Sequence, residues 1–134
     1  MKKYRNLLLL LVTVLTIVLA ACGGAASAPA VDADVDVQSL PLNVDVQTTF
    51  NLLDNPDVYV LDVREQWEYD SGHIPGITLL PLAELPSRLG EIPTDKEIIV
   101  TCHSGNRSGQ AVDFLRQQGF DNVHNMTEIG RAHV

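Results

Sequence analysis

Glu97-Ile98-Ile99-Val100-Thr101 runs into Cys102-His103-Ser104-Gly105-Asn106-Arg107, and from there into Ser108 to Gln118. Ile98 to Thr101 is a short run of β-branched residues, the signature of a buried strand. Ser108 to Gln118 carries Ala111, Phe114 and Leu115 on one helical face. The stretch therefore predicts a strand, a tight polar loop and a helix, with a cysteine where strand becomes loop. Main-chain N–H groups at such a junction point inward, and the positive end of the helix dipole lies beneath them. Both favour a thiolate over a thiol, and Arg107 adds a positive charge nearby. The alternative is an inert packing cysteine. It leaves Gly105, Asn106 and Arg107 without a purpose.

Working outward, strand and helix signals alternate, which predicts an α/β fold with a largely parallel sheet. Asp45 is placed to cap a helix with Val46, Phe50 and Leu53 on one face. Asp54 to Asp57 is a turn, and Val58 to Leu61 a short buried strand. A brief helix is expected over 65–69, a strand over 78–80, and a helix over 82–89 with Leu82, Leu85 and Leu89 aligned. Gly119 supplies the stop of the long helix, with Phe120 as its apolar contact, and Val123 to Met126 forms the last strand.

The segment CHSGNRS at 102–108 resembles the active-site loop of rhodanese-like sulfurtransferases, and LDVREQWEYDSGHIPG at 61–76 resembles a second motif of that family. The resemblance extends from Val44 to Thr127. It implies a single rhodanese-like domain with a mostly parallel central sheet flanked by helices. It also implies a thiosulfate sulfurtransferase-like activity that uses neither cofactor nor metal. Cys102 would accept sulfur from a small anionic donor such as thiosulfate, forming a persulfide and releasing sulfite. A thiol or cyanide-like acceptor, which could be a protein, would then take the sulfur away. His103, Ser104, Gly105, Asn106, Arg107 and Ser108 form the implied binding loop, in which Arg107 would orient the anionic donor or hold the loop. For His103 and Ser104, simple exposure is an equal alternative. Asn106 could bond the loop backbone, and Ser108 could cap the helix or contact the sulfur. Asp62, Arg64 and His73 are implied to be scaffold near the site. Glu68 and Gly76 share their motif, and Trp67 is a packing or rim residue. Four residues separate Cys102 from Arg107, whereas the related tyrosine and dual-specificity phosphatase loops place five there. The shorter loop suits a sulfur atom better than a phosphate, leaving a phosphatase or arsenate reductase as the lesser alternative. A non-enzymatic sulfur carrier or protein-interaction module is the other.

The ends of the chain read differently from its middle. Lys2, Lys3 and Arg5 precede an apolar run from Leu7 to Leu19. That run falls short of the roughly 20 residues needed to cross a bilayer, so 1–21 reads as a signal peptide. Leu19-Ala20-Ala21-Cys22 resembles a lipobox, implying a lipid on Cys22 of a bacterial lipoprotein held at the extracytoplasmic face of a membrane. An ordinary signal peptide or a retained anchor are the alternatives. Residues 22–39 read as a flexible tether, and 40–127 as the domain. Glu128 to Val134 matches one reading frame of a common sequencing adapter and is read as non-native. The family pattern would continue there with a Gly-Gly turn and an apolar helix, so the domain is read as truncated. With lipid on Cys22, Cys102 has no disulfide partner, and no Cys/His cluster has metal-ligand spacing. Among 134 residues, 17 are acidic and 9 basic. Such an acidic balance repels nucleic acid, so membrane attachment would rest on the lipid.

Overall fold

The computed structural model describes residues 35–127. The expected signal peptide, Cys22, most of the tether and the adapter-like tail lie outside the described residues. Five strands form one sheet: β1 (Asn43–Asp45), β2 (Val58–Asp62), β3 (Thr78–Leu79), β4 (Glu97–Thr101) and β5 (Val123–Thr127). Their order is β1-β5-β4-β2-β3, and every neighbouring pair is parallel. Among the described residues three α-helices accompany them: α1 (Val46–Asn51), α2 (Gln66–Ser71) and α3 (Asn106–Gln117). The expected α/β architecture is therefore present.

Parallel strands buried on both faces need apolar residues at successive positions, and β4 supplies them. Ile98 and Val100 enter one core with Leu61, Val63, Ala111, Val112, Leu115 and Val123. Ile99 enters the opposite core with Val44, Leu52, Val58, Val60 and Met126. Each such side chain, when fully buried, contributes about 1.5–3 kcal/mol. α3 covers the first face, and α1 the second. Val35 and Val37, from the stretch read as tether, also pack on the second face, where 37–39 form a short 3₁₀ turn.

Local signals explain most boundaries. The Asp45 carboxylate accepts the Thr48 N–H at 2.9 Å and the Thr48 hydroxyl at 2.8 Å, fixing the start of α1. α3 ends as the sequence predicts. Gly119 adopts φ +93°, its N–H bonds the Arg116 carbonyl, and the Phe120 N–H bonds the Leu115 carbonyl. This pair of bonds is a Schellman closure, and Phe120 packs against the core beside it.

Three expectations need correction. The helix over 82–89 is instead a turn followed by two 3₁₀ segments, Leu85–Ser87 and Leu89–Glu91. Pro86 sits in the middle of that run, lacks an N–H, and clashes with the carbonyl four residues back. The alignment of Leu82, Leu85 and Leu89 survives, because all three still meet the first core. Phe50 does not pack inward but is 67% exposed. α1 is only six residues long, and its buried anchors are Thr49 and Leu52. Phe50 instead borders an apolar hollow of about 390 Å³ shared with Ile74, Ile77 and the Asp62–Arg64 pair. Strand β1 was not foreseen. It pairs only with β5, and His124 secures its approach through a 2.8 Å bond to the Pro41 carbonyl and a 2.8 Å contact with Glu97.

Candidate active site

β2 and β4 are in register so that Asp62 lies beside Thr101. Both strands end there, at the edge where parallel sheets collect their ligands. Cys102 is the next residue and is 1% exposed. The chain turns at once into α3, with Gly105 as its N-cap at φ +85°. This left-handed conformation is open to glycine without strain. It aims the Gly105 N–H at the Cys102 sulfur, 3.1 Å away. The Ser108 hydroxyl, one turn into α3, lies 3.3 Å from the same sulfur. α3 starts two residues earlier than the apolar periodicity suggests, so Asn106 and Arg107 belong to its first turn.

Burial alone pushes the Cys102 thiol up, because a charged sulfur loses water. The Ser108 hydroxyl and the N–H groups of Ser108, Ser104 and Gly105 more than offset this, and the thiol lies below its ordinary value. The site thus favours the thiolate, through the Ser108 hydroxyl and main-chain N–H groups at a helix N-terminus.

Of the two roles implied for Arg107, its contacts fit holding the loop. Its guanidinium bonds both oxygens of Glu68 on α2, Nη1 to Oε2 at 2.5 Å and Nη2 to Oε1 at 2.7 Å. The bidentate pair neutralises the positive charge that was expected beside the sulfur. Arg107 and Glu68 form a strut from the first turn of α3 to α2. Glu68 also accepts the Glu65 N–H at 3.1 Å, so one carboxylate fastens the start of α2 and the loop together. The guanidinium holds the Glu68 carboxyl down at about 2.

The remaining residues divide plainly. Asp62 is buried and grips Arg64 at 2.7–3.1 Å, while Arg64 reaches on to the Gly72 carbonyl at 2.9 Å. This pair braces the end of β2 against the loop after α2. His73 is exposed, bonds the Tyr69 carbonyl through Nδ1 at 2.9 Å, and stacks on the Tyr69 ring at 3.7 Å. It supports that loop, not the sulfur. His103 and Ser104 are exposed at the loop rim. Asn106 is exposed too, and among the described residues its side chain does not make the backbone bond that was considered for it. Trp67 is 69% exposed and stands at the rim opposite His103. Sequence reasoning gave Glu68 no role. Its partner lies 39 residues away, and only its spacing from Glu65 hinted at a function in capping.

A parallel α/β domain with a cysteine at a strand end, cradled by a helix N-terminus, is a framework for covalent chemistry at that sulfur. Residues 46–128 match the model of the rhodanese-like domain family, and the chain belongs to that family. The chain is 36% identical over 84 residues to the thiosulfate sulfurtransferase GlpE of Pseudoalteromonas translucida, covering 63% of this chain and 80% of that protein. It is 45% identical over 67 residues to YrkF of Bacillus subtilis, provisionally named a sulfur carrier protein. That match covers 50% of this chain but only 36% of YrkF. A rhodanese-related protein from Thermoplasma volcanium superposes with a TM-score of 0.59 at 31% identity, covering 65% of this chain and 84% of that one.

Two outcomes follow from this geometry. Ser108→Ala removes one stabilising donor from the sulfur. The midpoint of Cys102 alkylation by iodoacetamide, followed against pH, should move to higher pH, while an unmoved midpoint would show that main-chain donors suffice. Glu68→Ala should destabilise the fold by about 1–3 kcal/mol at neutral pH, the usual worth of hydrogen bonds to charged groups. Glu68 titrates lower in the folded chain than its ordinary 4.5. Its contribution is therefore complete above about 4.5 and lost as pH falls towards about 2. Thermal unfolding of both forms across that range should show their stabilities converging.

Proposed function

We propose that this protein is a rhodanese-like sulfurtransferase that carries sulfane sulfur on Cys102 and takes it from a small anionic donor of the thiosulfate type. The observation that carries this reading is the sulfur held by Gly105 N–H and Ser108 hydroxyl at the start of α3. The Cys102 thiolate attacks the outer sulfur of thiosulfate. A new S–S bond forms at Sγ, the S–S bond within the donor breaks, and sulfite leaves with that electron pair. The outer persulfide sulfur then lies over the N-terminal end of α3, where the helix dipole and loop main chain favour negative charge. An acceptor nucleophile attacks that sulfur and regenerates the thiolate. No general base is invoked, because the loop donors favour the ionised nucleophile. Arg107, engaged with Glu68, acts here by holding the loop.

The names of both curated relatives concern sulfur handling, one as a transferase and one as a carrier. The carrier reading differs only in requiring a specific protein acceptor. The amino-terminal sequence supports a further part of the proposal. Cys22 follows Leu19-Ala20-Ala21 after a positive, apolar leader, so the domain would be tethered by lipid at the extracytoplasmic face of a membrane.

Intact mass of the purified chain before and after thiosulfate tests the chemistry. The expected result is a gain of one sulfur atom in the wild type and none in Cys102→Ser. No gain in folded wild type would defeat the thiosulfate reading. Turnover with cyanide would support the transferase, and discharge only to a particular protein would support the carrier. For the anchor, Cys22→Ala should abolish metabolic palmitate labelling and move the chain to the soluble fraction. Labelling that persists would refute lipidation at Cys22.

A further inference from the structure

A groove of about 390 Å³ runs between α2 and the Cys102 loop, lined by Arg64, Trp67, Glu68, Ser71 and His103. His103 follows Cys102 directly, so the groove opens on the loop that bears the sulfur. Its volume lies within the range of roughly 300–1,000 Å³ usual for small-molecule sites. Its most exposed large side chain is Trp67, at 69%. An indole is among the most favourable surfaces for an organic partner and among the least favourable to leave in water.

The charges around it are distinctive. Arg64 is occupied by Asp62, and Arg107 by Glu68. No basic residue occurs from 65 to 71, where Glu65, Glu68 and Asp70 lie. Neither guanidinium has its charge free for an anion, and Glu68, the carboxylate in the groove lining, is matched by Arg107, while Asp70 lies on α2 outside that lining. Such a lining gives an anion no free cation to pair with along α2, and the face of Trp67 favours a cation.

We propose that this groove is the acceptor site, and that it takes an organic thiol of neutral or positive charge, with Trp67 as the contact surface. The inference rests on the persulfide reading of Cys102. The acceptor thiolate attacks the outer sulfur of Cys102–S–SH. An S–S bond forms between acceptor and outer sulfur, the bond from that sulfur to Sγ breaks, and Cys102 leaves as thiolate. The acceptor departs as R–S–SH, so sulfur changes carrier without net oxidation.

The test uses the full chain in mild detergent, charged with thiosulfate until intact mass shows the added sulfur. Discharge is then timed with cysteamine, 2-mercaptoethanol, mercaptosuccinate and cyanide. Comparing variant with wild type for each probe cancels the probe's intrinsic reactivity. Trp67→Ala should lower the ratio of cysteamine to cyanide rates about three- to tenfold, the worth of one aromatic contact. Trp67→Phe should restore most of it. Asp70→Lys should shift preference from cysteamine towards mercaptosuccinate by about two- to fivefold. An equal loss with all four probes would make Trp67 merely structural and overturn the inference, as would no change in the ratio. Should thiosulfate leave the mass unchanged, the donor reading fails, and the acceptor site is still tested on chain charged with inorganic polysulfide. Should neither reagent charge Cys102, both readings fall.

Discussion

The left-handed turn at Gly105 is the constraint on which the rest of the site depends. It lets β4 end and α3 begin within four residues, and it points a main-chain N–H at the Cys102 sulfur. An added methyl group would meet only the Met126 carbonyl at 3.9 Å, which is ordinary contact. The demand for glycine is therefore set by the dihedral and not by space. Everything else about the loop follows from that turn. Ser108 falls one helical turn on and reaches the sulfur, while Arg107 faces outward across the surface to α2.

Placing the sulfur on main-chain donors and the one Ser108 hydroxyl confines its electrostatics to the loop and the first turn of α3. Cys102 is buried in the core of the first sheet face, where a bare charge would be costly. The N–H groups and the helix dipole are fixed by the fold and need no counter-ion. That leaves both nearby arginines free for mechanical work. Arg64 joins the end of β2 to the loop after α2, and Arg107 joins α3 to α2. In an acidic domain these two pairs also keep the mouth of the site without free positive charge.

How much of this was legible in the sequence depended on the range of the interaction. β4, the loop and α3 were legible because apolar periodicity, Gly105 and Gly119 act within a few residues of themselves. The site cysteine and its hydroxyl partner Ser108 lie in one contiguous stretch, so the chemistry could be read locally. The helix over 82–89 was misread because leucine spacing was weighed above Pro86, although a ring in mid-helix overrides periodicity. Phe50 was misassigned because α1 stops too early to use the face that its spacing suggested. β1 carries one buried residue, Val44, and its pairing with β5 joins segments more than 80 residues apart. No local pattern could reveal it. The Glu68–Arg107 bridge was invisible for the same reason.

The division between main-chain and side-chain roles bears on how such a site can change. Substitutions along α2 alter the wall that a partner meets, yet the donors that ionise the sulfur lie in the loop and α3. The one exception is Glu68, which belongs to both, since its carboxylate bonds the α2 amide and the loop arginine together. Changing Trp67 or Asp70 alters an exposed surface, whereas changing Glu68 removes the ion pair that ties Arg107 to α2. Among the described residues of α2, it is Glu68 that is tied to the segment following Cys102, through a single ion pair.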